Sequence, residues 1–130
     1  MLIHINPQLE TPIYTQLANQ IIEGIATGRL APAEELPSVR SLAADLGINL
    51  HTVNKAYNYL KQEGFLQVHR QKGAIVSPTP MPAADEFYYQ KLHEQLRPMV
   101  AESICRQVDE EEFLKLCRSL YQELVTQKEE

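Results

Sequence analysis

The stretch GINLHTVNKAYNYLKQEGF, residues 47–65, combines an apolar helical stripe with an opposite face of unusual composition. The stripe recurs at the spacing of one side of an α-helix and comprises Val53, Ala56, Tyr57 and Leu60. The side chains that point away from it are mostly short, polar and uncharged: His51, Thr52, Asn54 and Asn58, with Leu50 and Lys55 among them. A face that meets only water usually carries Glu and Lys, as the end of this helix does. The composition therefore indicates that the face contacts something other than solvent.

A shorter helix precedes this one. Ser38 can cap it, Gly47 ends it, and its apolar stripe is formed by Val39, Leu42, Ala43 and Leu46. Asn49 can cap the longer helix, so residues 47–49 form a tight connection between the two. Two short helices joined by three or four residues that include a glycine predict a helix-turn-helix.

The segment before residue 38 predicts a further helix. Thr11 at the N-cap and Pro12 in the first turn form a typical helix start. An apolar residue then recurs every four positions, at Ile13, Leu17, Ile21 and Ile25, and the helix should end near Gly28. Residues 2–6 are a candidate short edge strand, and residues 29–37, with two prolines, predict a loop.

A β-hairpin is predicted after Gly64. The runs FLQV (65–68) and AIVS (74–77) favour strands, and the basic segment HRQKG (69–73) between them is typical of a turn. Three helices followed by such a hairpin predict a winged helix over residues 1–77. Three prolines within residues 78–84 then indicate a linker.

Two amphipathic helices are predicted in residues 85–130, with a break near residues 107–109. Their stripes run through Tyr88, Leu92, Leu96, Met99 or Val100 and Ile104, and through Phe113, Leu116, Cys117, Leu120 and Leu124. Such a helical hairpin leaves one apolar side uncovered. A second copy of the chain is the simplest cover, with Tyr88, Leu92, Leu96, Met99, Phe113, Cys117, Leu120 and Leu124 at the interface. The alternative, packing on the N-terminal domain of the same chain, is less favoured because the proline-rich linker separates the two modules.

The charge is distributed unevenly along the chain. The net charge is −5, yet residues 36–77 carry five basic and two acidic side chains, a net of +3. The flanking segments are acidic, with a net of −3 in residues 1–35 and −5 in residues 78–130. This asymmetry indicates a local anion-binding surface. The acidic run 109–112 is better explained as the first turn of the last helix, where negative charge meets the positive end of the helix dipole, than as a metal site.

The totals limit the classes of protein that the sequence can encode. A chain of 130 residues forms about one domain, and no apolar run approaches the roughly 18–20 residues of a membrane span. The first residues lack the pattern of a signal peptide, so a cytoplasmic location is expected. Cys105 and Cys117 are then expected to be small buried side chains in a reducing compartment.

Several motifs together resemble the N-terminal winged-helix domain of GntR-type bacterial transcription regulators. They are PIYTQL (12–17), LPSVR (36–40), LAADLGI (42–48), TVNKAY (52–57), LKQEGF (60–65) and RQKG (70–73). The opening of the chain and the short C-terminal part look like the YtrA-type branch, which lacks the large effector-binding domain of its relatives. The resemblance implies a homodimeric regulator that binds a palindromic DNA operator, often as a repressor of its own, transporter-encoding operon.

The resemblance also implies roles for individual residues. The second helix of a helix-turn-helix lies in the major groove of DNA, where His51, Thr52, Asn54 and Asn58 would meet base edges or phosphates and Lys55 would contact phosphate. Ser38 and Arg40 match positions that meet DNA in the family, and Arg70, Gln71, Lys72 and Gly73 match its wing. An intrahelical ion pair is the alternative for Arg40. Leu50 and Gln71 depart from the usual family residues, which affects the expected target sequence.

Other functions find less support in the residues. No nucleotide-binding, metalloprotease, serine-hydrolase or CxxC motif is present, so neither catalytic residues nor a cofactor are predicted. The four histidines lack the spacing of metal ligands. A winged helix that binds only proteins should present large apolar anchors, and Tyr59 is the single candidate. A small-molecule effector would need a pocket between subunits, where core packing is the favoured explanation of the apolar residues.

Overall fold

The computed structural model describes residues 2–129, which form five helices and one two-stranded hairpin. The elements are α1 (Ile13–Ala26), α2 (Val39–Leu46), α3 (Leu50–Gln62), β1 (Leu66–His69), β2 (Gly73–Val76), α4 (Glu86–Cys105) and α5 (Glu110–Glu129). The strands are antiparallel, and their register pairs Leu66 with Val76 and His69 with Gly73. The mainly α winged helix-turn-helix fold with two C-terminal helices is confirmed. By internal contacts the chain divides into two units. The first comprises the residues up to Met81 together with those from Gln127 onward, and the second spans Pro82–Thr126.

The centre of the first unit is α3, which packs against α1, α2 and β1. Its predicted stripe is buried: Val53, Ala56 and Leu60 have no exposed surface, and Tyr57 is 6% exposed. The other helices present Leu17 and Ile21 from α1 and Leu42 and Ala43 from α2 to the same core. Burying one large aliphatic side chain contributes about 1.5–3 kcal/mol, so this cluster is the main source of stability of the unit.

Local signals in the sequence fix the helix-turn-helix as predicted. The Ser38 Oγ accepts a hydrogen bond from the Ser41 backbone N–H at 3.0 Å, and the Asn49 Oδ1 accepts one from the His51 N–H at 2.7 Å. Gly47 ends α2 in the left-handed conformation with φ of 66°. A residue with a Cβ would be strained there by roughly 1–2 kcal/mol.

A partly buried hydrogen bond joins α3 to the segment just before α2. The Tyr57 hydroxyl on α3 donates to the Pro37 carbonyl oxygen, just before α2, over 2.8 Å. Burial raises the pKa of Tyr57 from its ordinary value of 10.0 to about 12, because an ionised phenolate would lose its hydration. The neutral phenol is therefore the form that stabilises the folded chain.

The prediction of an edge strand at residues 2–6 is wrong. The segment belongs to no sheet, and two glutamine side chains of α1 hold its backbone instead. Gln20 Oε1 accepts from the His4 N–H at 2.9 Å while Gln20 Nε2 donates to the His4 carbonyl. Gln16 forms the same pair of bonds with Asn6, both at 2.9 Å. Side-chain amides one helical turn apart thus replace the neighbouring strand that the segment lacks.

The start of α1 also differs from the prediction. Pro12, not Thr11, occupies the N-cap, with φ of −54° and ψ of 148°, and no side chain caps the helix. The Pro12 carbonyl already accepts from the N–H groups of Thr15 and Gln16. The Thr11 carbonyl accepts from Gln16 Nε2 at 2.9 Å, so Thr11 is held outside the helix.

Both strands lie one residue closer to the hairpin tip than predicted, and a third segment pairs with β2. Strands were expected at residues 65–68 and 74–77, but the Phe65 N–H bonds the Leu60 carbonyl at the end of α3. The loop before α2 pairs with β2: the Leu36 N–H donates to the Ala74 carbonyl, and the Val76 N–H donates to the Glu34 carbonyl, both at 2.9 Å. Backbone pairing therefore anchors the wing to the segment that leads into the helix-turn-helix.

The second unit consists of two capped helices with no buried side chain among those described. Asp85 accepts from the Tyr88 N–H and Asp109 from the Glu112 N–H, each at 2.8 Å, so the acidic run does begin α5. Pro98 removes one backbone hydrogen bond inside α4. Cys117 is half-buried, but Cys105 is exposed, so the expected burial is wrong for Cys105 in the single chain. Within residues 2–129 no helix is both long and apolar enough to cross a membrane.

Replacing Tyr57 by Phe should lower the free energy of unfolding by about 0.5–1.5 kcal/mol at pH 8, since the Pro37 carbonyl loses its donor. Urea denaturation of the two proteins measures the difference. The matched control is Tyr59→Phe, because the exposed Tyr59 makes no hydrogen bond through its hydroxyl to any described residue. An equal loss in both variants would contradict the role of the Tyr57 bond.

The native chain and the Tyr57→Phe variant should respond differently to alkaline pH. Tyr57 ionises near pH 10 in the unfolded chain and near 12 in the folded one, so its contribution is complete below pH 10. That contribution is lost as the pH rises from about 10 to about 12. The advantage of the native chain over Tyr57→Phe should shrink across this window, and a constant difference would show that Tyr57 is not the group responsible.

Candidate nucleic-acid interface

The exposed face of α3 gathers four of the residues that the sequence singles out. His51, Asn54, Lys55 and Asn58 are exposed and follow the helical spacing of one face. Thr52 lies at the edge of this face and is half-buried, and Leu50 at the start of the helix is 39% exposed. With Tyr14, Tyr59 and Gln62 the four line one shallow concave surface. The face offers amide, imidazole and ammonium groups together, with no carboxylate.

Lys55 has a contact that the sequence does not reveal. Its Nζ lies 4.0 Å from the centroid of the Tyr14 ring in the first turn of α1. Tyr14 therefore belongs to the same surface, although its spacing on α1 only shows that it lies beside the apolar stripe. The sequence alone could not reveal this contact, since it depends on how α1 packs across α3.

The start of α2 presents Ser38 and Arg40. Ser38 is exposed, and its oxygen already accepts from the Ser41 N–H, which leaves the hydroxyl hydrogen available to an external acceptor. Arg40 is exposed and has no ion pair with any described carboxylate, so the predicted alternative of a pair with Asp45 is not formed. Its guanidinium is free to bind an anion.

The tip of the wing carries Arg70, Gln71 and Lys72, all exposed, between the paired residues His69 and Gly73. Gly73 has φ of 71°, a conformation that closes the hairpin and that residues with a Cβ rarely adopt. Among the described residues neither cation of the tip has a carboxylate partner. The wing is therefore a second, separate cationic site on the same unit.

The electrostatics of these elements favour an anionic ligand. Neither α2 nor α3 has an acidic residue in its first turn, whereas α4 has Glu86 and α5 has three glutamates there. The positive ends of the α2 and α3 dipoles are thus left uncompensated next to Arg40 and the exposed face of α3. In the part of the chain that the structure describes, no cluster of His, Cys, Asp and Glu could hold a metal ion.

Comparisons with known proteins agree with this chemistry. Residues 13–76 match the family described as bacterial regulatory proteins, gntR family. The HTH-type transcriptional repressor YtrA of Bacillus subtilis (strain 168) is 34% identical over 102 residues, which cover 78% of this chain and 78% of that protein.

Solved structures of two other proteins are similar to the chain. The transcriptional antiterminator from Listeria monocytogenes EGD-e is 25% identical, with a TM-score of 0.88 over 96% of this chain and 93% of that one. AraR(DBD) in complex with operator ORX1 is 25% identical, with a TM-score of 0.52 over 59% of this chain and 96% of that one. The chain thus belongs to the GntR family of bacterial DNA-binding transcription regulators, which are not enzymes, and within that family it is similar to YtrA.

Proposed function

We propose that the chain is a homodimeric repressor that reads a palindromic operator with the exposed face of α3. The observation that carries the proposal is that this face, free of carboxylates, lies on the same unit as the exposed cations Arg40, Arg70 and Lys72, none of which pairs with a described carboxylate. The YtrA protein that the chain resembles is a transcriptional repressor, and AraR(DBD) was solved bound to its operator. These two relatives support the sign of regulation and the type of ligand.

Base recognition is assigned to the first two turns of α3. Asn54 can form a bidentate pair with adenine, and the exposed His51 can donate to or accept from a base edge. Thr52, being half-buried, is better placed to contact a phosphate or a thymine methyl at the edge of the groove. Asn58 lies one turn further along the same face. Acidic side chains here would be repelled by the phosphates, which explains their absence.

Phosphate contacts are assigned to α2 and the wing. Ser38 and Arg40 lie at the start of α2, where backbone N–H groups and the helix dipole also attract phosphate. Arg70 and Lys72 would follow the backbone or enter the minor groove, where cations are favoured, and Gln71 lies between them. Gly73 lets the hairpin turn sharply enough to present these side chains at its tip.

Homodimerisation is assigned to α4 and α5. Of the eight residues predicted at the interface, Tyr88, Leu96, Met99 and Leu120 are exposed in the single chain by 39–59%, while Leu92, Phe113, Cys117 and Leu124 are half-buried. So many large exposed apolar side chains on two helices mark an interaction surface. A two-fold partner would cover it with the same residues of a second copy and would place two α3 helices on one palindrome.

The proposed biological target rests on the resemblance to the YtrA-type branch and not on the geometry. We propose that the protein acts in the cytoplasm on its own operon, one that encodes a transporter. A small-molecule effector would bind between subunits, where the dimer surfaces of α4 and α5 meet.

Selection of bound duplexes from a random library by the full-length protein tests the proposal. An enriched inverted repeat is the expected result, since two identical α3 helices would read the two half-sites. Recovery of unrelated sequences by folded protein, with no shared motif, would contradict sequence-specific reading and would favour a winged helix that serves a protein partner.

Substituting Asn54 by Ala should abolish discrimination at one base pair in each half-site. The expected loss is about 1–3 kcal/mol per half-site, the worth of a bidentate contact with a base. Fluorescence anisotropy against operators changed one base pair at a time measures it. Gln62→Ala is the matched control, because Gln62 lies on the same face near the end of α3. Unchanged preferences at every position of the Asn54 variant would show that Asn54 does not read a base.

Substituting Lys72 by Ala should weaken binding about equally on all sequences. Each lost phosphate contact lowers the slope of log K against log salt by about 1, so the slope should fall by about 2 for a dimer that carries two copies of Lys72. Titrations at several salt concentrations, on the operator and on an unrelated duplex, measure this slope. Lys61→Ala serves as control, because Lys61 is an exposed cation at the end of α3, away from the helix start. A larger loss of affinity for the operator than for the unrelated duplex would instead assign base recognition to Lys72.

Substituting Leu96 or Leu120 by Glu should convert the dimer to a monomer at micromolar concentration. A carboxylate at the proposed interface would be buried without a partner, which costs several kcal/mol. Sedimentation equilibrium measures the mass of the particle. Leu2→Glu is the control, since Leu2 is 84% exposed in the other unit. A dimer that survives both substitutions would place the interface elsewhere.

A further inference from the structure

Tyr14 and Lys55 connect the first turn of α1 to the exposed face of α3. The distance of 4.0 Å between Lys55 Nζ and the ring centroid lies well within the roughly 6 Å range of a cation–π contact. Tyr14 is half-buried and packs against the core of the first unit, whereas Lys55 is exposed. The core therefore anchors the ring, and the ring in turn restrains an otherwise mobile lysine side chain.

An aromatic partner differs from a carboxylate in what it leaves to a ligand. An ion pair would cancel much of the charge of Lys55 and would place a negative group beside the phosphates. A tyrosine ring attracts the ammonium group through its quadrupole and leaves the net charge of the cation intact. Lys55 has no ion pair with any described carboxylate. The ammonium group is thus ordered but not neutralised.

We infer that Tyr14 is a positioning residue, which holds the Lys55 ammonium beside the reading face of α3 so that less side-chain freedom is lost when a DNA phosphate binds there. Restraining a flexible lysine in advance lowers the entropic cost of the contact. This inference rests on the proposed DNA-binding function and extends it to α1, outside the helix-turn-helix. A tyrosine that only filled space between α1 and α3 would act on stability, independently of Lys55.

A double-mutant cycle on the full-length protein separates these two roles. The variants are Tyr14→Leu, Tyr14→Phe, Lys55→Met and the double variant Tyr14→Leu/Lys55→Met, titrated against the selected operator and an unrelated duplex at several salt concentrations. Tyr14→Leu should weaken binding about two- to fivefold per bound subunit on both duplexes, because part of the entropic cost of ordering the Lys55 side chain then arises on binding, and Tyr14→Phe should stay close to wild type. Lys55→Met should lower the salt slope by about 1 for each bound subunit, and so by about 2 for the dimer.

The decisive comparison is the effect of Tyr14→Leu in the Lys55→Met background. The loss of affinity should vanish there, because no ammonium group remains to be positioned. Tyr59→Leu is the matched control: Tyr59 borders the same concave surface, but the Lys55 ammonium group lies over the Tyr14 ring. Its effect on affinity should be equal with and without Lys55. If the effect of Tyr14→Leu also persists undiminished without Lys55, the ring acts only through the fold and the inference is overturned.

An NMR measurement without DNA tests the geometry itself. The Lys55 side-chain protons next to Nζ should resonate upfield in the wild type and in Tyr14→Phe, because of the ring current, and at the ordinary position in Tyr14→Leu. Absence of the upfield shift in the wild type would overturn the inference while leaving the proposed function intact. Wild-type protein that shows the shift yet has no salt-dependent affinity for DNA would refute the proposed function, and the role of Tyr14 with it.

Discussion

The buried stripe of α3 is the constraint on which the rest of the first unit depends. Val53, Ala56 and Leu60 have no exposed surface, and α1, α2 and β1 all pack against the helix that carries them. Because the helix has 3.6 residues per turn, fixing this stripe also fixes the direction of every other side chain on α3. His51 and Asn54 are exposed since the core has taken the opposite side. One helix is thus both the centre of the core and the proposed DNA-reading surface, so the buried stripe decides which side chains that surface presents.

The remaining contacts of the first unit hold that helix at a defined angle. Tyr57 bonds the residue before α2, and the loop that leads into α2 pairs with β2, so the helix pair and the wing form one hydrogen-bonded frame. The second unit lacks such a frame: none of the described side chains of α4 or α5 is buried. Two amphipathic helices without a core derive little stability from packing. Their order in solution should therefore depend on the partner that covers their apolar residues, which couples folding of this unit to assembly.

Interactions between neighbours in sequence were predictable, and interactions across the fold were not. The caps at Ser38 and Asn49, the left-handed Gly47 and the stripe of α3 all follow from spacing and local chemistry, and the structure confirms them. The sequence predicted that residues 2–6 are extended. It did not predict the hydrogen-bond partners of their backbone, because glutamine side chains of α1 take the place of a neighbouring strand. The exposed face of α3 could be predicted because it is the complement of the buried stripe. The contact of Tyr14 with Lys55 could not, since no local pattern encodes the packing of α1 on α3.

The charge distribution confines the attraction for DNA to one segment of a chain whose net charge is −5. Segment 36–77 holds the exposed cations Arg40, Lys55, Arg70 and Lys72, none of them in an ion pair with a described carboxylate, while the acidic remainder repels the phosphates. So few cations per chain give weak binding to any single stretch of duplex, and the acidic remainder weakens it further at low salt. A single chain would thus neither bind tightly nor discriminate well. In the proposed dimer the contact with the second half-site is intramolecular, so the affinity rises steeply only where both half-sites match. Under the proposed function, the apolar surface of α4 and α5 is thus as important for selecting one operator as the exposed face of α3.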